Sequence, residues 1–183
     1  MHITREVLYN RIRDFFKEPR SGKVLAISGT GAIWDMFDKT KSELVEVKFP
    51  EVSIESLPFE DDTFDFIFSD QILEHIKNPF KAVDECYRVL KTGGYVIHTT
   101  CFMNEEHCIS WGVKEYGDYW RFTPAGLNLL HQKYSEVVQC EGWGNREALK
   151  LIFAGKRWEE APREVINVNE KQYAISTWII AKK

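Results

Sequence analysis

Between residues 4 and 17 the apolar positions Val7, Leu8, Ile12, Phe15 and Phe16 recur three and four apart, which predicts an amphipathic helix ended by Pro19, Ser21 and Gly22. The pattern then changes period. Lys23–Ile27 (KVLAI) is a short apolar run, a buried strand that empties into the glycine-bearing loop Ser28-Gly29-Thr30-Gly31-Ala32, followed by a helical turn from Ile33 to Phe37. Residues 43–49 alternate weakly and read as a second strand closed by Pro50. FDFIFS (64–69) is apolar on both sides, as a strand covered on both faces must be, and 70–76 form the loop and turn after it.

Pro79–Leu90 is the clearest helix: proline suits its first turn, and Phe80, Val83, Cys86, Tyr87 and Leu90 form its apolar stripe up to Gly93-Gly94. YVIHTT (95–100) is the next strand, and a loop-rich stretch over 101–122 follows. Thr123-Pro124 is a helix start, with Leu127, Leu130 and Tyr134 on one face. Residues 137–141 read as strand up to Gly142-Trp143-Gly144. A helix over 145–160 with Leu149, Ile152, Phe153 and Trp158 comes next, and a β-prone run, 173–182, closes the chain. Strands separated by helices imply one α/β domain over residues 1–183, a mostly parallel, doubly wound sheet with helices on both faces. Ligands of such sheets sit beyond the carboxyl ends of the strands, so 28–32, 70–75 and 99–103 share one rim.

Composition narrows the chemistry. The 183 residues are 44% apolar and carry 12 Phe, 7 Tyr and 6 Trp, enough for a packed core. A net charge of -4 gives no long-range attraction for nucleic acid or an anionic membrane. Residues 51–74 hold eight acidic side chains and no basic one, placing that excess at the rim. No apolar run approaches the roughly 20 residues of a membrane span, and the N-terminus has no signal-peptide core, so a cytoplasmic location is expected. Cys86, Cys101, Cys108 and Cys140 are too scattered for a disulfide scaffold or a zinc site, and no metal is expected. Tryptophan enrichment favours an interface, so a homodimer or another protein partner is considered.

The loop SGTGA is neither the dinucleotide fingerprint nor a Walker loop, and a glycine turn between packed elements accounts for it without a ligand. Taken together, however, KVLAISGTG, ESLPFEDDTFDFIFSDQILEHIKNP and DECYRVLKTGGYVIHTT resemble the successive motifs of the class I S-adenosylmethionine-dependent methyltransferases, nearest to their small-molecule group. DYWRFTPAGL is similar to a later segment of many members. The resemblance implies a Rossmann-like sheet of six to seven strands with an antiparallel last strand, and S-adenosylmethionine as cofactor. It implies that Ser28, Gly29, Thr30 and Gly31 line the methionine end, that the loop after Val47 meets the ribose, with Glu46 or Glu51 as the carboxylate there, that Ser56 and Leu57 approach the adenine, and that Asp70, Gln71 and Leu73 floor the pocket beside the sulfonium. His75, in the LEH turn, either orients that loop or meets the substrate as a base.

The chain departs from the family pattern in four places. Ala26 replaces an acid at the end of the first strand, Lys48 takes the ribose position, and Ser53 stands where an adenine-side acid is expected. Only about seven residues separate the second strand from LPF, too few for the usual helix and third strand. On the substrate side, His98 and Asp118 are candidate catalytic groups beside His75, and Tyr119, Trp120 and Arg121 candidate contacts to a polar substrate; Trp120 and Phe122 can equally plug the end of the sheet. The expected activity is methyl transfer to an oxygen or nitrogen of a small polar metabolite. The alternative is a catalytically silent methyltransferase-like binding or scaffold protein.

Overall fold

The computed structural model describes residues 3–29, 31–106, 117–156 and 161–183. Helix α1 (Ile3–Phe16) buries Leu8, Ile12 and Phe16, spaced by four residues, together with Tyr9. Four strands follow in the predicted places: β1 (Lys23–Ile27), β2 (Glu43–Val47), β3 (Phe64–Asp70) and, after helix α2 (Pro79–Val89), β4 (Leu90–Cys101). Helix α3 (Pro124–Leu130), strand β5 (Glu136–Trp143), helices α4 (Arg146–Phe153) and α5 (Arg163–Ile166) and strand β6 (Ser176–Lys182) complete the chain.

Local chemistry sets the helix boundaries. Asn78 and Thr123 cap α2 and α3 in the same way: each side-chain oxygen accepts a backbone N–H three residues on, from Lys81 and Gly126, and each next residue is a proline with no N–H to leave unpaired. The Asn145 oxygen caps α4 through the Ala148 N–H, and its amide nitrogen donates to the carbonyls of Val165 and Val168, tying α4 to α5. The helix expected over 145–160 stops at Phe153. Gly155 turns left-handed (φ 68°), and the N–H groups of Gly155 and Lys156 return to the carbonyls of Ile152 and Leu151, a Schellman ending.

The sheet has six strands in the order β2-β1-β3-β4-β6-β5. β2, β1, β3 and β4 are parallel, and β6 runs antiparallel to both β4 and β5. No described residue forms the seventh strand of the full family sheet: after β2 the chain passes through turns with one isolated bridge, Ser53 to Ser56, which leaves β2 as an edge. Gly93 and Gly94, expected to separate α2 from the next strand, instead lie inside β4. There Gly93 N–H donates to Lys183 and the Gly94 carbonyl accepts from it, while Gly93 adopts φ 84°.

Side chains alternate between two cores. Val24, Ala26, Phe66, Phe68, Ile97, Trp178 and Ile180 face α1, α4 and α5, whereas Leu25, Ile27, Ile67, Val96, Ile179 and Ala181 face α2 and α3. Helices therefore cover both faces, and the near-continuous apolar strands have their physical reason. Among the described residues no helix is long and apolar enough to cross a membrane.

One polar cluster is enclosed in the second core. His98 of β4 is fully buried, its Nδ1 2.6 Å from the Ser69 hydroxyl, and its ring lies 5.2 Å from that of His131 at the end of α3. His131 donates from Nδ1 to the Leu127 carbonyl, and Nε2 of each ring has no partner. Burial pushes His131 down to about 4 and holds His98 well below the ordinary histidine range, with His131 opposing its charge. Both rings are neutral in the fold, and the unfolded chain takes up their protons first. The contribution of the two neutral rings to stability is fully present above about pH 6.5 and is lost as the pH falls toward 4; His131 alone accounts for about 3 kcal/mol of that loss. In urea denaturation at pH 7.5 and 4.5, the stability of His131→Leu relative to the unmodified chain is expected to be higher at the lower pH; an unchanged difference between the two proteins would exclude His131 as a source of acid sensitivity.

Candidate functional site

The strand order itself marks a place for a ligand. From β1 the chain moves outward to β2 and then crosses back to β3 on the other side of β1, so the connections leaving the paired strands β1 and β3 go to opposite faces of the sheet, the point at which such sheets form a crevice for a ligand. The loop after β1 forms one wall. Ser28 is exposed at φ 61°, Gly29 lies at φ 118° with nothing within 4 Å of a side-chain position, and Gly31 lies at φ 50°. Ser28, Gly29 and Gly31 are all left-handed, and a Cβ at either glycine would be strained. Thr30 lies outside the described residues, as do His107, Cys108, Trp111 and Trp158.

Asp70, at the end of β3, forms the opposite wall. Its Oδ1 accepts the Thr99 hydroxyl at 2.6 Å, and its Oδ2 accepts the Tyr9 hydroxyl from α1 at 2.5 Å, with the Arg5 guanidinium 3.5 Å away. Gln71 turns left-handed (φ 58°) so that its N–H reaches the Thr99 carbonyl and hydroxyl. Leu73 is fully buried beneath the rim in the core facing α2. The structure thus puts Ser28, Gly29, Gly31, Asp70 and Gln71 at the carboxyl ends of the neighbouring strands β1 and β3, with Leu73 below.

The other expected positions are placed differently. Glu46 is on the edge strand, its carboxylate 2.8 Å from the Lys48 ammonium. Ser56 is exposed, and Leu57 is buried with its N–H on the Glu85 carboxylate. Arg88 of α2 pairs with that same Glu85 and donates to the Leu57 and Phe59 carbonyls and to Asp61. The LPF segment and the DECYRV helix are therefore one bracket. His98 is on the opposite face of the sheet from the neighbouring Thr99, enclosed below α3 and away from the rim.

The segment from Gly117 to Phe122 is laced onto the Leu73–His75 turn. The Glu74 carbonyl accepts the N–H groups of Tyr119 and Trp120, the His75 ring donates from Nδ1 to the Gly117 carbonyl, and the Trp120 indole donates to the Ile76 carbonyl. Arg121 grips Asp118 with both terminal nitrogens and reaches the carbonyls of Asn104, Glu105 and Trp120. Its donors thus hold protein, and the exposed surface of the segment is the rings of Tyr119 (47% exposed) and Trp120 (42%). Among the described residues no group of three or more His, Cys, Asp or Glu could hold a metal.

Sequence reasoning missed four participants. Arg5, Tyr9 and Thr99 sit on regular elements, where only a polar group at a buried position could have marked them. Glu74 was visible in the LEH turn, but its state was not: the carboxyl is fully buried, and no hydrogen bond of ordinary geometry reaches either oxygen. Burial pushes it up to about 8; its own backbone N–H and the Cys101 thiol oppose this only in part, and the Asp70 and Asp118 carboxylates add to the rise.

The comparisons with known proteins decide what kind of crevice this is. The family described as a methyltransferase domain matches residues 18–98, a span that contains the glycine loop, β3, the LEH turn and α2. Residues 18–98 thus carry a domain of this methyltransferase family, and the chain shares its fold with S-adenosylmethionine-dependent methyltransferases. An uncharacterized protein of Methanocaldococcus jannaschii is 49% identical over 54% of this chain and 47% of its own length. The chloroplastic 2-methyl-6-phytyl-1,4-hydroquinone methyltransferase of Arabidopsis thaliana is 33% identical over 68% of this chain and 33% of its own. This chain spans about a third to a half of these curated relatives. A Haloferax volcanii methyltransferase solved in complex with the Trm112 methyltransferase activator shares the fold, with a TM-score of 0.62 at 14% identity over 95% of this chain and 87% of that one.

S-adenosylmethionine is the cofactor of this methyltransferase family, and the crevice fits its amino-acid end: open space over Gly29, a carboxylate opposite, and a guanidinium beside it. The fit on the ribose side is poorer, because the Glu46 carboxylate is already matched by Lys48.

The state of Glu74 yields a prediction. The folded protein keeps the proton that the unfolded chain releases near pH 4.5, so stability falls as the pH rises from there toward 8. Glu74→Gln keeps the neutral shape without the ionisation and is expected to raise the melting temperature above that of the unmodified chain at pH 8 to 9, with a smaller gain at pH 5. Equal gains at both pH values would mean that the carboxyl does not titrate this way.

Proposed function

We propose that this chain transfers the methyl group of S-adenosylmethionine to an oxygen or nitrogen of a small polar metabolite. One observation carries the reading: the open glycine loop and the Asp70 carboxylate face one another where the sheet changes direction. Bound there, the cofactor supplies an electrophilic methyl group on a sulfonium. The protein's task is then mainly positioning, because the displacement needs nucleophile, methyl carbon and sulfur in line more than it needs a strong acid or base.

In this reading Asp70 holds the ammonium of the amino-acid end, Ser28 to Gly31 line the same end, and Gln71 and Leu73 form the floor. His75 fixes the turn under the substrate. Tyr119 and Trp120 offer their exposed faces to the substrate from the 101–122 segment, and Asp118 acts through Arg121 by holding that segment in place. His98 is assigned to the core. Glu46, Ser56 and Leu57 are the ribose and adenine side, with Glu46 available only when it leaves Lys48. A cytoplasmic location and a small-molecule substrate belong to the same reading.

A second reading is favoured by the Glu46–Lys48 pair and the absent third strand: a catalytically silent scaffold of the same fold, with a protein partner as the Haloferax volcanii neighbour has. Calorimetric titration with S-adenosylmethionine and S-adenosylhomocysteine separates the two. Binding is expected, and Asp70→Asn is expected to weaken it about tenfold or more through loss of a charge-assisted contact, with folding checked by circular dichroism. No heat and no thermal shift at millimolar ligand would decide for the silent scaffold.

A further inference from the structure

The Tyr9 hydroxyl occupies the crevice in a particular way. α1 packs across the 3₁₀ turn Gly31–Met36, and the Tyr9 ring is buried against the sheet with only its oxygen at the rim. That oxygen lies 2.9 Å from where a Cβ on Gly31 would stand, and Asp70 Oδ2 lies 3.5 Å from the same point. The phenol donates to Oδ2 at 2.5 Å, Thr99 already fills Oδ1, and the Arg5 guanidinium lies 3.5 Å from Oδ2. Both carboxylate oxygens are thus supplied from within the protein. Burial and the negative charge of Asp70 keep the phenol protonated, and so keep it a donor.

A cationic ligand group seeking Asp70 meets a donor already in place. We propose that Tyr9 is a specificity-determining residue of the cofactor site, an internal occupant whose hydroxyl stands where the ammonium of the amino-acid end binds and must be displaced by it. The inference rests on the proposed cofactor reading. It has a consequence that a simple wall residue lacks. An adenosyl ligand carrying the ammonium competes with the phenol, whereas one without an amino-acid end does not. Arg5, 43% exposed in its side chain and beside the same carboxylate, remains to balance Asp70 when the phenol is gone.

Tyr9→Phe removes the hydroxyl and keeps the ring in its core position. Calorimetry with S-adenosylhomocysteine, which has the amino-acid end, and with 5′-methylthioadenosine, which lacks it, reads the competition directly. The expected result is S-adenosylhomocysteine binding about tenfold tighter in Tyr9→Phe than in the unmodified chain, with 5′-methylthioadenosine unchanged. Binding of S-adenosylhomocysteine only by Tyr9→Phe would support the occupant role in its strongest form. Equal or weaker S-adenosylhomocysteine binding by a Tyr9→Phe protein with an unchanged melting temperature would overturn it while leaving the cofactor reading intact. A parallel gain for both ligands would also overturn it, since the phenol would then obstruct the crevice without mimicking the ammonium. Should Tyr9→Phe lose its fold, Tyr9→Leu is measured against the same two ligands. Failure of both ligands with every variant would remove the cofactor reading and this inference together.

Discussion

Everything at the rim is arranged around one carboxylate. Asp70 ends β3 where the sheet's direction changes, a position that parallel α/β sheets leave open because neighbouring connections go to opposite faces. An ionised group there must be matched or solvated. This chain matches it from two other elements: Thr99 from β4, and Arg5 and Tyr9 from α1. The carboxylate therefore ties α1 and β4 to the end of β3, where the left-handed Gln71 returns its N–H to Thr99. Because Oδ1 is held inside the fold and Oδ2 is held by a neutral phenol, one oxygen is structural and the other is exchangeable.

A second set of contacts depends on the first. The turn that leaves Asp70 carries Glu74, whose carbonyl takes two N–H groups of the 117–122 segment while its carboxyl stays enclosed and protonated. A charged Glu74 would add a third acid beside Asp70 and Asp118, with Arg121 already gripping one of them. Neutrality at that position lets the acid-rich rim stay compact. The expense is an unpaired buried carboxyl in the fold, tolerated where the backbone above it makes many bonds.

The fold was legible because its signals are local. The i+4 spacing of Leu8, Ile12 and Phe16, the Asn/Thr-Pro helix starts and the two-sided apolar strands each act over a few residues, and α1, β1, β2, β3, α2 and the start of α3 lie within a few residues of their expected places. The misreadings came from long-range pairing. Gly93-Gly94 became part of β4 because Lys183, from the far end of the chain, pairs with it, and α4 ended early because Gly155 supplied a left-handed cap that the apolar spacing could not reveal. At the site, motif order named the two walls, but which donor fills which oxygen depends on α1 crossing the crevice, and no spacing encodes that. Arg121 illustrates the same limit: as a sequence feature it is a free cation beside aromatics, and in the fold its nitrogens are committed to Asp118 and three carbonyls.

The short connection after β2 gives these observations a common direction. Losing the third strand leaves β2 as an edge, and an edge needs charged side chains to discourage pairing with other chains. Lys48 beside Glu46 puts an ion pair at that edge and at the same time matches the carboxylate that the proposed reading sets beside the ribose. One charge-assisted hydrogen bond is worth about 1.5–3 kcal/mol, so on the proposed reading the nucleoside end contributes less to binding than a free acid would allow. The amino-acid end must then carry more of the affinity, and that end is the one where Tyr9 competes. A weakened anchor at one end of a ligand and an internal competitor at the other act in the same sense. Both make occupancy depend on ligand concentration, and the competitor adds a requirement for the ammonium group that the edge strand cannot impose.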